Sequence, residues 1–475
     1  MLISKASYEM KSGRNREKMN LVRILKDPKE RQAYRYILGL TLPIVIQNIF
    51  NAAVSSADVL MLNSVGQEAI SAVSLATQYS NILLSIFLGL GSGVSMLCSQ
   101  YWGKKDVKTI GRVQGIALRF TFLCALIFAI PSIFFPELMM SLYTNDTTLI
   151  PLGASYLRIV GIGHLFWGIA ETYFQTLRSV ERVKISTCIN VFTLLLNIGL
   201  NAVFIFGLLG APRLGVQGVA LATTISRVVQ FVICMIYSHY SKGMKLAFRA
   251  VFEKNPILLK DFVRLSLPAL ANSLIWSVAF SLYTAILGHL SSDVVAANSV
   301  VAVVRSFGTV LCYAVSASAG IVIGKDIGAK KMEEAKTDSK RFMVLMIITG
   351  IIGGLVIFAI TPIALSVASL SDTAMRYLKI MLYINCFYIM GTATNGTMIN
   401  GIFRAGGDSK FGMICDIFDM WVYAVPLGFI AAFVFKLPPM VVYILLCTDE
   451  FVKWPWVFGH YKSGKWLNNI TREFE

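Results

Sequence analysis

Apolar runs of about 20 to 28 residues recur along almost the whole chain, each long enough to cross a hydrocarbon core of about 30 Å at about 1.5 Å per residue. Twelve such runs stand out, at 37–63, 68–101, 112–135, 153–178, 184–208, 214–240, 262–289, 293–325, 339–366, 375–403, 409–433 and 438–462. They are too uniformly apolar for barrel strands, which alternate inward and outward over about ten residues. The pattern predicts an all-α polytopic membrane protein of twelve transmembrane helices.

Composition agrees. Of 475 residues, 56% are hydrophobic and 15% charged, against roughly 45–50% and 25% in soluble domains. The net charge of +17 points away from nucleic acid once its placement is considered. Lys104, Lys105, Lys108 and Arg112 share one loop, and Arg178, Arg182 and Lys184 another. Two further basic stretches run from Lys242 to Arg264 and from Lys325 to Arg341, while the intervening loops at 64–67, 136–152 and 290–293 hold no Lys or Arg. Positive loops stay in the cytoplasm, so both termini are expected inside, with residues 1–36 forming a basic tail on anionic lipid. No cleaved leader is evident. All eight cysteines lie within or at the ends of apolar runs without a C-x-x-C pair, and read as small core residues.

The chain repeats itself. "LTLPIVIQN" from Leu40 aligns with "LSLPALANS" from Leu265 at a shift of 225 residues, which also carries "AISAVS" (69–74) onto "VVAANS" (294–299) and Gly103 onto Gly328. A shift of 226 carries "RSVERVK" (178–184) onto "RAGGDSK" (404–410). Two six-helix lobes follow, 37–240 and 262–462, joined by a cytoplasmic linker at 241–261 and closed by a tail at 463–475. Six spans per lobe make the repeats parallel, and transporters built this way bind substrate between their halves.

Polar residues on spanning helices mark the interior. Gln47, Asn51, Ser55 and Asp58 follow at spacings of four, four and three, on one face of the first helix, and Asn190, Asn197 and Asn201 form a second stripe on the fifth. An ionisable group exposed to hydrocarbon costs from about 3 to over 10 kcal/mol, so Asp58 must face a bundle interior or a watery cavity. The repeat converts the first stripe into Asn272, Trp276, Phe280 and Tyr283. Ring faces opposite a carboxylate and amides suit a bulky, flat, cationic organic molecule. Pro43, about 22 Å along the helix from Asp58, gives that helix a place to bend. Its repeat mate is Pro268.

Other ionisable residues in the spans admit more than one role. Glu171 and His164, seven apart, share a face and could line the same cavity or pair between helices. Arg227 and Arg305 could neutralise acids or contact an anionic substrate. Asp416 and Asp419 read as caps or loop anchors at a helix end, and Glu450 is the best further acid of the second half. No Walker A sequence and no histidine ligand spacing occur, which removes that route to ATP hydrolysis and leaves an intramembrane hydrolase unsupported.

With "LPIVIQN…SADVLML" on the first helix, "RSVERVK" after the fourth, "RAGGDSK" after the tenth and "SGKWLNNITRE" at the end, the chain resembles the multidrug and toxic compound extrusion (MATE) transporters. The resemblance implies a V-shaped pair of lobes in the cytoplasmic membrane, with no enzymatic activity and no cofactor beyond a coupling ion, H+ or Na+. It implies cation-coupled export of drugs and organic cations. Asp58 matches the family's first-helix acid, Pro43 its bending proline, Asn197 an amide of the first-lobe cation site and Thr223 its threonine. Asn201 stands where the DinF-type branch carries a second aspartate. Trp276 and the stretch 391–395 stand where the NorM-type branch carries acids, so the DinF-type arrangement fits better.

The sequence therefore predicts an antiporter, a monomer in lipid with small organic substrates as its partners. Its cation-coupling set is Asp58, Asn197, Asn201 and Thr223, which favours a proton but could ligate sodium. The expected cavity is lined by Gln47, Asn51, Ser55, Glu171, His164, Trp276, Phe280 and Tyr283. One proton exchanged for one monovalent cation would move no net charge. A flippase for lipid-linked sugars and a non-transporting receptor or scaffold are the rival readings.

Overall fold

The computed structural model describes residues 27–474 except 242 and 369, and describes no side chain at 55, 56, 58–60 or 63. The first lobe holds α1 (Pro28–Asn63), α2 (Gln67–Gly103), α3 (Val107–Phe134), α4 (Leu149–Ser179), α5 (Val183–Phe206) and α6 (Val216–Tyr240). The second holds α7 (Pro256–Leu290), α8 (Ser292–Gly328), α9 (Met332–Val367), α10 (Asp372–Asn395, continued by π-helical Gly396–Phe403) and α11, spanning Ser409–Val434. The last apolar run, α12, is three pieces: Pro439–Leu446, Asp449–Val452 and Trp454–Ser463.

Local chemistry sets many of the ends. Asp27 caps α1 by accepting the Lys29 N–H at 2.9 Å, with Pro28 where a missing N–H costs no bond. Asp106 and Asn255 cap α3 and α7 in the same way, accepting from Thr109 N and Leu258 N at 3.0 Å. Two expected boundaries move. The first helix starts at Pro28 rather than 37, so only residues 1–26 of the expected tail lie outside the described residues. Among the described residues ten helices, all but α10 and α12, are long and apolar enough to cross a membrane. The segment at 438–462 is interrupted because it carries Asp449, Glu450 and Lys453 and begins its last piece at Trp454–Pro455, where a proline cannot complete the preceding turn.

The lobes exchange their leading helices. α1 packs on α5 in its own lobe and on α8 in the other, and α7 packs on α11 and on α2. Ile37, Leu40, Ile44 and Val45 of α1 are buried in a cluster made mainly of α8, α9 and α10 side chains, while Phe262, Leu265 and Ala269 of α7 are buried among α2, α3 and α4. Thr41 Oγ1 donates to Ser318 Oγ at 2.9 Å. Its repeat-equivalent contact sets Ser266 against Gly93, where a Cβ would lie 1.8 Å from Ser266 Oγ.

At the end carrying the basic loops α2 and α8 touch backbone to backbone. A Cβ on Gly103 would meet the Lys325 carbonyl oxygen at 1.9 Å, and one on Gly328 would meet the Gln100 carbonyl oxygen at 1.8 Å. The two repeat-mate glycines thus make one pseudo-symmetric crossing, and Gly324 against Ser99 continues it one turn further in. Lys325 pairs with Glu181 at 2.7 Å across the lobes, and Glu181 also accepts from Trp102 Nε1 and Tyr36.

The last residues reinforce this end. Gln100 Nε2 donates to the carbonyls of Ala405 (2.8 Å) and Asn468 (3.0 Å), and its Oε1 accepts from Ile470 N at 2.8 Å. Asn469 Nδ2 donates to Ile327 O at 2.9 Å, so the segment after α12 is packed against both lobes. Replacing Gly328 by Leu should force the two helices apart and lower stability by about 1–3 kcal/mol, the usual cost of overpacking. A fall in the thermal unfolding midpoint of the purified protein measures it, and an unchanged midpoint would refute the contact.

Candidate functional site: a cavity between the lobes

A cavity of about 840 Å³ lies between the lobes, walled by α2 on one side and by α7, α8, α10 and α12 on the other. Its volume falls within the range of about 300–1,000 Å³ typical of small-molecule sites. The aromatic stripe of α7 lines it. Trp276 and Phe280 have ring centroids 4.1 Å apart, and Phe280 and Tyr283 5.3 Å apart. These three of the sequence-predicted cavity residues are brought together on one wall.

Beyond the rings sits a charged cluster. Lys453, only 3% exposed, has Nζ 3.1 Å from Asp416, 3.2 Å from Asp419 and 3.4 Å from Glu450. Asn395 Nδ2 donates to Glu450 Oε2 at 2.5 Å, and the Tyr283 hydroxyl donates to Asp449 Oδ2 at 3.2 Å. Asp416 and Asp419 are therefore not caps or loop anchors, as the sequence reading had them. They face inward because residues three apart on α11 share a face, opposite the point where α12 breaks. Sequence reasoning missed Lys453. The available signal was its place three residues after Glu450 in an apolar run, matching the Asp416–Asp419 spacing.

Two arginines complete the wall. Arg305 lies with its guanidinium carbon 5.2 Å from the Phe280 ring centroid and 5.9 Å from that of Tyr388. Arg404 Nη1 donates to Ser92 Oγ of α2 at 3.0 Å.

The first-lobe residues gather elsewhere. Asn201 Nδ2 donates to Asn197 Oδ1 at 3.3 Å, and Asn197 Nδ2 reaches Thr223 Oγ1 at 3.5 Å, so these three expected partners form one chain of contacts between α5 and α6. Asp58 and Ser55 lie on α1, their side chains outside the described ones. Gln47 is buried and Asn51 exposed, and neither lines the cavity described above. Pro43 sits inside an unbroken α1, its carbonyl accepting from Thr187 Oγ1 of α5 at 3.2 Å.

Glu171 and His164 do not line that cavity and do not pair with each other. Glu171 is held by Arg178 at 2.7 Å, two turns along the same helix face, and His164 is buried with Nε2 3.0 Å from Ser80 Oγ. Arg227 also lies outside the cavity, stacked 4.1 Å from the Trp167 ring centroid.

Two repeated lobes of spanning helices around a central cavity define a polytopic membrane transporter. The MatE family model matches residues 43–203 and 268–430, one match in each lobe, and the chain belongs to that family of multidrug and toxic compound extrusion transporters. It is 26% identical over 439 residues to the probable multidrug resistance protein YoeA of Bacillus subtilis, covering 90% of this chain and 94% of that one. It is 21% identical to the probable multidrug resistance protein NorM of Thermotoga maritima, covering 94% and 97%. Its fold matches a structure described as the outward-facing conformation of a multidrug resistance MATE family transporter of the MOP superfamily, with a TM-score of 0.81 at 20% identity over 90% of this chain and 96% of the other.

Proposed function

We propose that this transporter exports flat aromatic compounds from the cytoplasm by alternating access, in exchange for an inward-moving cation, with the proton favoured over sodium. The observation that carries the reading is the α7 ring stripe, Trp276 and Phe280, on the wall of the inter-lobe cavity. A planar molecule entering there gains apolar burial and stacking together. With the basic loops inside, the glycine crossing closes the cytoplasmic end and the cavity belongs to an outward-facing state.

Coupling is assigned to the first lobe, as in the DinF-type arrangement. Asp58 carries the charge, and Asn197, Asn201 and Thr223 supply neutral oxygens nearby on α5 and α6. Uptake of the ion by this set favours one shape of α1, with Pro43 as the point that yields, and the shape of α1 governs the cavity because α1 packs on α8. The resemblance implies organic cations as cargo. The rings support its flat part, whereas its positive charge would find Phe280 already faced by Arg305 and the lining carboxylates Asp416 and Glu450 already held by Lys453.

Everted vesicles from an efflux-deficient bacterial host test the reading. Vesicles carrying the protein should accumulate planar aromatic dyes when acidified inside, and Trp276→Ala should raise the apparent KM about tenfold, the loss expected from one stacked, buried indole. Accumulation no greater than in vesicles from the host alone would contradict it.

A further inference from the structure

We propose that the ligand of this cavity is a planar aromatic anion, its ring stacked on α7 and its carboxylate, sulfonate or phosphate held by Arg305. The proposal rests on the export reading only for calling that ligand cargo.

Arg305 is held by the faces of Phe280 and Tyr388, contacts that use its charge and leave its five N–H donors free. No described acceptor takes any of them. Arg404, sixteen residues beyond Tyr388 along the path of α10, donates instead to the Ser92 hydroxyl. Arg305 forms no ion pair among the described residues.

The acids of the same wall are engaged. Asp416 and Glu450 sit on Lys453, Glu450 also accepts from Asn395, and Asp449 accepts from Tyr283 and from the Glu450 backbone N–H at 2.7 Å. The cavity therefore offers spare donors on Arg305 beside a stack of rings, while its carboxylates already draw on Lys453, Asn395 and Tyr283. A guanidinium drawn from water without an acceptor is costly, and an anionic ligand supplies the acceptor.

The charge of the cargo changes the energetics of exchange. A monoanion leaving as one proton enters moves two charges in the same electrical sense, so the membrane potential drives the cycle. A monovalent cation exchanged for a proton would move none.

The test compares two probes with one ring system, 1-pyrenesulfonate and 1-pyrenemethylammonium, in equilibrium binding to the full-length protein in nanodiscs of neutral lipid. At about 0.15 M salt, where long-range charge effects are screened, the sulfonate should bind about tenfold tighter than the ammonium, the scale of one or more charged hydrogen bonds. Arg305→Gln should remove most of that preference while ammonium binding persists, which also reports that the variant is folded. Equal or tighter binding of the ammonium, or a sulfonate preference that survives the substitution, would overturn the assignment. Arginine-dependent sulfonate binding by a protein that moves nothing across vesicles would support the assignment and count against export alone.

Discussion

Lys453→Met should cost about 3–5 kcal/mol of stability, the usual penalty for removing one partner of a buried ion cluster. Lys453 is 3% exposed, and the carboxylates on it are 9%, 1% and 5% exposed for Asp416, Asp419 and Glu450. Without the ammonium these acids face one another in a site that water barely enters, with Asp449 beside Glu450 in the same short helix. The loss would appear as a large fall in the thermal unfolding midpoint and in the yield of monodisperse protein. Lys453→Met combined with Asp416→Asn and Asp419→Asn should recover much of it, because the repulsion goes with the charge. A single variant as stable as the parent would contradict the cluster.

Asp58→Asn should abolish coupled export while leaving the protein folded. Asparagine keeps the shape of the side chain and removes the only charge proposed for the first-lobe set, since Asn197, Asn201 and Thr223 are neutral. An ion that binds both states of the transporter equally shifts neither, however tightly it binds. Drug resistance conferred on an efflux-deficient host should therefore fall to that of the host alone, with the unfolding midpoint close to the parent's. Resistance equal to the parent's would remove Asp58 from the coupling site.

The architecture was legible because membrane spans obey length and hydropathy, and because the repeat is written in the letters. The match of Gly103 to Gly328 anticipated a symmetric feature without saying what it was; the structure makes it a helix crossing in which each glycine meets the other lobe's backbone. The α7 ring stripe was legible for the same reason, as a shifted copy of a polar one. What could not be read was which groups from distant helices meet. Glu171 is seven residues from both His164 and Arg178, and spacing alone cannot choose between them; geometry gives it to Arg178. Lys453 escaped because its three partners come from α11 and from its own broken helix, and apolar periodicity is silent where a helix stops. The cavity is richer in second-lobe side chains than the first-helix stripe suggested, since α1 spends its buried face on α5 and α8.

Exchange of an aromatic cargo for a coupling cation is read out by flux in proteoliposomes. The purified protein would be reconstituted with a planar fluorescent cargo on one side, and a pH gradient imposed with no sodium present, each pH unit supplying about 1.4 kcal/mol per proton. Cargo should move against its own gradient, opposite in direction to the proton, and should not do so in Asp58→Asn. Cargo that only equilibrates, at the same rate with and without any imposed proton or sodium gradient, would contradict it.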